Sequence, residues 1–301
     1  MTTSILRTAD GWWAQNADVA ARIATPTTTT GELLVHRTAV EAAAHNAHTV
    51  RIDSLRLISP VTAPCRVVAQ MTNFASHVKG AGMDPKTVPL TFFRKTSGSI
   101  SGPFDKIIKP PHVKLLDYEV EIGLVLGRDI PVGTEITESN LADFIAGLVV
   151  TNDVSARDVQ LTKTQFYEAK SYPTFTPVGP ALVLLDADEL NRFGDLRLEL
   201  RVNGEVRQDM LVRGDMIYPP LQALQSLARF QPLGTGDLIM TGTPVGTALG
   251  APPKPAELKA FLEREASNPK YLQHGDILEV SIATNDGAIN LGTQRTSVRH
   301  A

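Results

Sequence analysis

Apolar and polar positions alternate most regularly in the second half of the chain. Leu196, Leu198, Leu200 and Val202 are separated by polar residues up to Asn203-Gly204, after which Val206 follows. Residues two apart share one face of a strand. Asn-Gly is the dipeptide that favours a two-residue hairpin turn, so this segment predicts a hairpin with one buried face. A second hairpin is predicted where residues 277–283 and 288–298 flank Asn285-Asp286-Gly287. Residues 144–151 are apolar almost throughout and predict a buried strand, and 238–241 a short strand ending at Gly242-Thr243-Pro244. Helical patterns are found over 32–48, 154–160, 221–230 and 255–266, whereas the threonine tract 27–30 reads as a solvated loop. No fixed-period repeat is present, which excludes solenoids and propellers. The pattern predicts an α+β fold around a large, curved, mostly antiparallel sheet. Pro60 and Pro64 bracket a linker, dividing a small N-terminal α/β domain (1–62) from a main domain (63–301).

Composition narrows the function classes. The 301 residues are 43% hydrophobic and 20% charged, enough to bury a core, which rules out disorder as the dominant state. The net charge is −3 and no run of Lys or Arg occurs, which argues against nucleic acid or an anionic membrane surface as partner. The single cysteine, Cys65, has no intrachain partner, and the first ten residues hold no apolar signal region. A cytoplasmic location is therefore expected. No window approaches the roughly 18–20 apolar residues of a membrane span.

Candidate chemistry concentrates in Asp117-Tyr118-Glu119-Val120-Glu121-Ile122-Gly123. On a strand, Glu119 and Glu121 share a face with Cβ atoms about 6.5–7 Å apart. Either this is a solvated face or the two carboxylates hold a cation or a shared proton. Glu is depleted in strands, and neighbouring carboxylates repel. Asp153 follows the apolar run 144–151 and either caps the next helix or joins the pair as a third oxygen ligand. Carboxylates without Cys or His favour Mg²⁺ or Mn²⁺ over zinc. His77, where a strand gives way to a polar loop, is either structural or a proton shuttle. Lys170 is a surface lysine, a Schiff-base nucleophile or an anion anchor. The segment 241–247 lacks the lysine and spacing of a P-loop. A nucleophile elbow, a Cys–His signature and a dinucleotide-binding loop are also missing.

Seven motifs in order resemble the fumarylacetoacetate hydrolase family. They are Asn73-Phe74-x-x-His77, Asp117-x-Glu119-x-Glu121-Ile122-Gly123, residues 152–160, Ala169-Lys170-Ser171, residues 202–208, residues 236–244, and residues 275–280. The resemblance implies a mixed β-roll catalytic domain, usually homodimeric, with Mg²⁺ or Mn²⁺ at the positions of Glu119, Glu121 and Asp153. It places Arg157, Gln160 and Thr243 in the substrate site, with His77 and Lys170 as catalytic groups. The expected substrate is a small 2-oxo or 1,3-diketo acid, cleaved by C–C hydrolysis through an enolate. The alternatives are oxaloacetate-type decarboxylation, or isomerisation or hydration of a related 2-oxo acid. Outside enzymes, the alternative is a non-catalytic binding homologue. Two departures stand out. Gly80 occupies the position where many members carry the Glu that pairs with the histidine; either Asp84, the nearest downstream acid, or a residue from elsewhere takes that catalytic place, or the chemistry needs no such pair. Residues 251–273 form a long insertion whose flanks place it near the pocket mouth.

Overall fold

The computed structural model describes residues 3–163 and 166–301. Among these, the largest sheet has eleven strands. Its order is Thr49–Arg51, Val19–Arg22, Gly11–Asn16, Ser4–Thr8, Leu182–Leu184, Ile145–Asn152, Val120–Leu126, Leu238–Met240, Val67–Met71 and Thr91–Lys95. The short strand Leu57–Ile58 also pairs with Ser4–Thr8. Pairing is antiparallel except where Leu238–Met240 runs parallel to Val67–Met71. Strands of the first 62 residues enter this same sheet through Ser4 opposite Val183 and Ile5 opposite Leu182. A five-stranded sheet, ordered Glu205–Leu211, Leu196–Val202, Ile277–Thr284, Asn290–His300 and Lys106–Lys109, covers one of its faces.

Side-chain alternation explains the layering. Val120, Ile122 and Leu124 point to one side, where they pack with Leu196, Leu198, Leu200, Val280 and Ile282 of the smaller sheet. Val125 points to the other, into a second core with Val67, Val149, Met240 and the helical residues Leu33, Leu34 and Val40. Two-sided burial is why the strand 145–152 reads as a continuous apolar run, every residue of it being buried. Its solvent-facing counterpart Leu196–Val202 buries only alternate residues. Asn203 and Gly204 have φ of 53° and 82°, the left-handed pair that a tight hairpin turn demands. The second hairpin joins Ile277–Thr284 to Asn290–His300. The fold is α+β.

Local expectations change in three places. The helical stretch 32–48 is two helices, Thr30–Val35 and Arg37–Ala44, interrupted at His36. The threonine tract is not a free loop. Thr29 Oγ1 accepts from the Glu32 amide while the Glu32 carboxylate accepts from the Thr29 amide, and Thr30 Oγ1 donates to the Pro60 carbonyl. This reciprocal cap is the Thr-x-x-Glu pattern that starts a helix. Residues 154–160 first form the two-residue strand Ser155–Ala156, and only then the helix Arg157–Thr162.

Gly123 sits between the two sheet faces' demands. A Cβ there would meet Val149 Cγ2 at 2.6 Å, and Leu238 Cδ1 and Thr151 Cγ2 at 2.8 Å. Gly123→Val should therefore overpack the sheet and lower stability by about 1–3 kcal/mol. Urea denaturation measures it, and an unchanged midpoint would refute this account of the glycine.

Candidate functional site

The carboxylate cluster follows from strand register. Val120 lies opposite Asn152 and Glu121 opposite Thr151. One step further the pairing continues: the Asp153 amide donates to the Glu119 carbonyl at 2.8 Å, and the Glu119 amide donates to Asn152 Oδ1 at 2.9 Å. Residues opposite one another in an antiparallel pair share a face. Glu119, Glu121 and Asp153 consequently project together, all buried, with ligand oxygens within 4.8 Å of one another. Asp153 does not cap the following helix, whose first residue is Arg157 and which has no side-chain cap.

Cations surround the acids. Lys170 Nζ donates to Glu119 Oε2 and Asp153 Oδ2, both at 2.6 Å. Arg157 donates through Nη2 to Glu119 Oε1 at 2.5 Å, through Nε to Asp117 Oδ2 at 2.7 Å, and through Nη1 to Gln160 Oε1 at 2.8 Å. Lys95, at the end of the strand Thr91–Lys95, donates to Asp153 Oδ1 and to the Phe175 carbonyl. Burial opposes ionisation of Glu119, but Arg157 and Lys170 outweigh it and hold its carboxyl below the usual range. Glu121 is pushed well above that range by burial and then by the charges of Asp153 and Glu119. Burial lowers the Lys95 ammonium, whereas Asp153 and Glu119 overcome the same cost at Lys170 and raise it.

An outer set of contacts fixes the inner one. Asp117 accepts from the amides of Tyr118, Ala248 and Leu249, tying the loop after Gly246 to Arg157. Gln208 Nε2 donates to Thr243 Oγ1 at 2.9 Å while Gln208 Oε1 accepts from the Val120 amide. Gly242, at φ 82°, donates its amide to Glu121 Oε2 at 2.8 Å, and a Cβ there would fall 2.9 Å from Asn73 Cβ. Asn73 in turn bonds the Thr241 carbonyl and both backbone groups of Tyr218.

All nine residues singled out from the sequence line one cavity of about 700 Å³. His77 is carried by the helix Ala75–Gly80, whose start is held by Asp215 through the amide and hydroxyl of Ser76. Burial, reinforced by Arg157 and Lys170 against Glu119, depresses the His77 pKa. Among the described residues its ring has no hydrogen-bond partner. Asp84 lies exposed beyond the helix, its Oδ1 accepting from the Lys86 amide at 3.0 Å. Arg157 reaches the cavity with its guanidinium already shared among Asp117, Glu119 and Gln160. Lys95, Asp117 and Gly242 were not among the site residues expected from sequence. The signal for Lys95 was its place on the Thr91–Phe93–Lys95 face of a strand, where Phe93 lines the cavity.

The donor set suits a hard divalent cation. The atoms it offers are carboxylate oxygens only, and the Glu121 carboxylate has one hydrogen-bond donor among the described residues. Asp117, Glu119, Glu121 and Asp153 also outnumber Lys95, Arg157 and Lys170 by one.

An α+β fold whose central strands present buried carboxylates to a loop-covered cavity defines the class. Residues 66–299 match the family model described as fumarylacetoacetate (FAA) hydrolase, C-terminal. The chain belongs to the fumarylacetoacetate hydrolase family. It is 37% identical over 233 residues to the mitochondrial oxaloacetate tautomerase Fahd2a of Rattus norvegicus, covering 76% of this chain and 67% of that one. It is 35% identical over 234 residues to the human mitochondrial oxaloacetate tautomerase FAHD2A, with the same coverage. Among solved structures, a probable 2-hydroxyhepta-2,4-diene-1,7-dioate isomerase from Mycobacterium abscessus superposes with a TM-score of 0.78 at 30% identity, over 100% of this chain and 99% of that one. The fumarylacetoacetate hydrolase of Exiguobacterium antarcticum gives 0.77 at 28% identity, over 100% of both. No helix among the described residues is long and apolar enough to cross a membrane.

Calorimetric titration with Mg²⁺ should show one site, abolished in Glu121→Gln. Gly242→Ala, which displaces the amide that donates to Glu121, should weaken binding by about 10–100-fold. Unaltered affinity in both variants would contradict the assignment.

Proposed function

We propose that the protein is a keto–enol tautomerase acting on a 2-oxo acid, with Mg²⁺ or Mn²⁺ held by Glu119, Glu121 and Asp153. The observation that carries this reading is the state of His77. Among the described residues it is the one histidine lining the cavity, burial lowers its pKa, and it has no acidic partner where Gly80 stands. Hydrolysis of a C–C bond needs a water activated in the site. Tautomerisation needs only that the enol hydroxyl lose a proton and that C3 gain one, so a single neutral imidazole suffices to carry it. The oxaloacetate tautomerases to which the chain is similar support the same choice.

The residues divide the work as follows. A bound divalent cation supplies electrostatic stabilisation to enolate charge. Lys170 holds fixed positive charge beside the same carboxylates, and its raised pKa keeps it an ammonium, a poor amine nucleophile. Arg157 is a positioning residue that orients Glu119 and the amide of Gln160. Thr243, set by Gln208, presents its hydroxyl to the substrate. His77 takes the enol proton and returns one to carbon. Asp84, exposed on the segment that follows the His77 helix and bonded to the Lys86 amide, takes no part in the proton transfer.

Decay of enol-oxaloacetate absorbance measures the reaction. His77→Ala should lower turnover by roughly 10²–10⁴-fold while Mg²⁺ binding survives; near wild-type turnover would remove His77 from the mechanism. Asp84→Asn should cost less, since it transfers no proton. Because the base works as neutral imidazole and burial depresses its pKa, kcat/KM should stay level through neutral pH. It should fall only below the ordinary histidine value of about 6.5. An acid limb centred above that value would contradict the assignment. Incorporation of labelled solvent oxygen into a new carboxylate of the product would establish hydrolysis instead.

A further inference from the structure

The cavity changes character from floor to mouth. Glu119, Glu121, Asp153 and Lys170 form its buried floor. Met83, Val88, Leu161, Phe166, Leu249 and Pro252, each half-buried or exposed, form its outer wall. Phe166 meets Phe93 edge-on, with centroids 5.5 Å apart and planes at 84°. The Phe93 ring centroid lies 5.3 Å from Lys170 Nζ. The Phe93–Phe166 pair therefore carries aromatic surface outward from the ammonium at the floor, beside the polar lining residues Thr87, Gln160 and Lys163.

Charge gives a second, independent restriction. Each lining cation already has acidic partners: Lys170 has Glu119 and Asp153, Arg157 has Asp117 and Glu119, and Lys163 at the mouth has Glu168. A second carboxylate on the substrate would enter the outer chamber with no free cation to meet it among the described lining residues, and it would be desolvated against apolar side chains. Volume points the same way. About 700 Å³ lies within the range of pockets that enclose drug-sized ligands, and a four-carbon diacid fills only a fraction of it.

We propose that this site takes 2-oxo acids whose C3 carries an extended apolar or aromatic arm, and discriminates against a second carboxylate there. The proposal rests on the tautomerase reading above and goes beyond it in naming the substrate class. Phe166, Leu161 and Met83 determine the preference. The arm packs against the Phe93–Phe166 pair, while the 2-oxo acid end, the part that reacts, stays at the floor.

The test compares freshly dissolved enol-phenylpyruvate with enol-oxaloacetate on the Mg²⁺-loaded enzyme. The aryl substrate should have kcat/KM higher by about tenfold or more, the scale on which apolar pockets discriminate. Phe166→Ala should narrow that ratio. Met83→Lys, at a side chain 45% exposed and so tolerant of change, should shift it toward the diacid by placing a cation at the mouth. Enol-oxaloacetate turned over as well as or better than the aryl enol would overturn this proposal and leave the tautomerase reading standing. If neither enol is turned over above its spontaneous rate, the tautomerase reading falls. Calorimetric binding of phenylpyruvate and oxaloacetate to the loaded protein then decides the arm preference by itself. Tighter phenylpyruvate binding sustains that preference, and oxaloacetate binding at least as tightly overturns it.

Discussion

Antiparallel pairing of Val120–Leu126 with Ile145–Asn152 places Val120 opposite Asn152, and the site depends on that register. It brings Asp153 across from Glu119, two residues from Glu121 on the same face. A slip of one residue would turn the acids of one strand into the core between the two sheets and its apolar partners toward the cavity. Burial on both faces makes such a slip costly, because Ile122 and Leu124 are committed to one core and Val125 to the other. Packing energy spread over the strand thus secures the position of three carboxylates at its end.

Holding those carboxylates together is unfavourable without compensation. Moving a charge into the interior costs several kcal/mol, which a partner offsets only with good geometry. The chain supplies Lys95, Arg157 and Lys170 from three separate segments, each making two or three hydrogen bonds at once. Three cations face four acids there, and burial, with the neighbouring charges of Asp153 and Glu119, raises the pKa of Glu121. Stability alone would favour another lysine in that gap or loss of the acid, whereas a divalent cation held by the three carboxylates would fill it.

Around this charged floor the cavity is built from loops whose anchors lie elsewhere. Asp215 fixes the start of the His77 helix, Asp117 the 246–250 loop, and the Tyr218 hydroxyl binds the Val88 carbonyl. Between these anchors the segment 80–87 is largely exposed, and it includes Gly80 and Gly82. The floor is thus buried and densely hydrogen-bonded, whereas the wall at the mouth is the more exposed part.

Much of this was legible in the chain itself, because period-two alternation and Asn-Gly turns are local physics. The hairpins at 203–204 and 285–287, the buried strand near 145–152, and the shared face of Glu119 and Glu121 follow from side chains alternating across a strand. The capping box at Thr29 was equally local, yet a run of threonines hid it. What the chain could not specify by itself was which segments meet. That Asp153 stands opposite Glu119 and does not cap a helix is set by the pairing of strands separated by the residues between 126 and 145. That Lys95 reaches Asp153, 58 positions away, depends on the crossover that places Thr91–Lys95 at the sheet edge. Residue types and spacing determined the chemistry available. Only the tertiary fold decided which charges face one another in a medium of low dielectric, where that choice carries its full energetic weight.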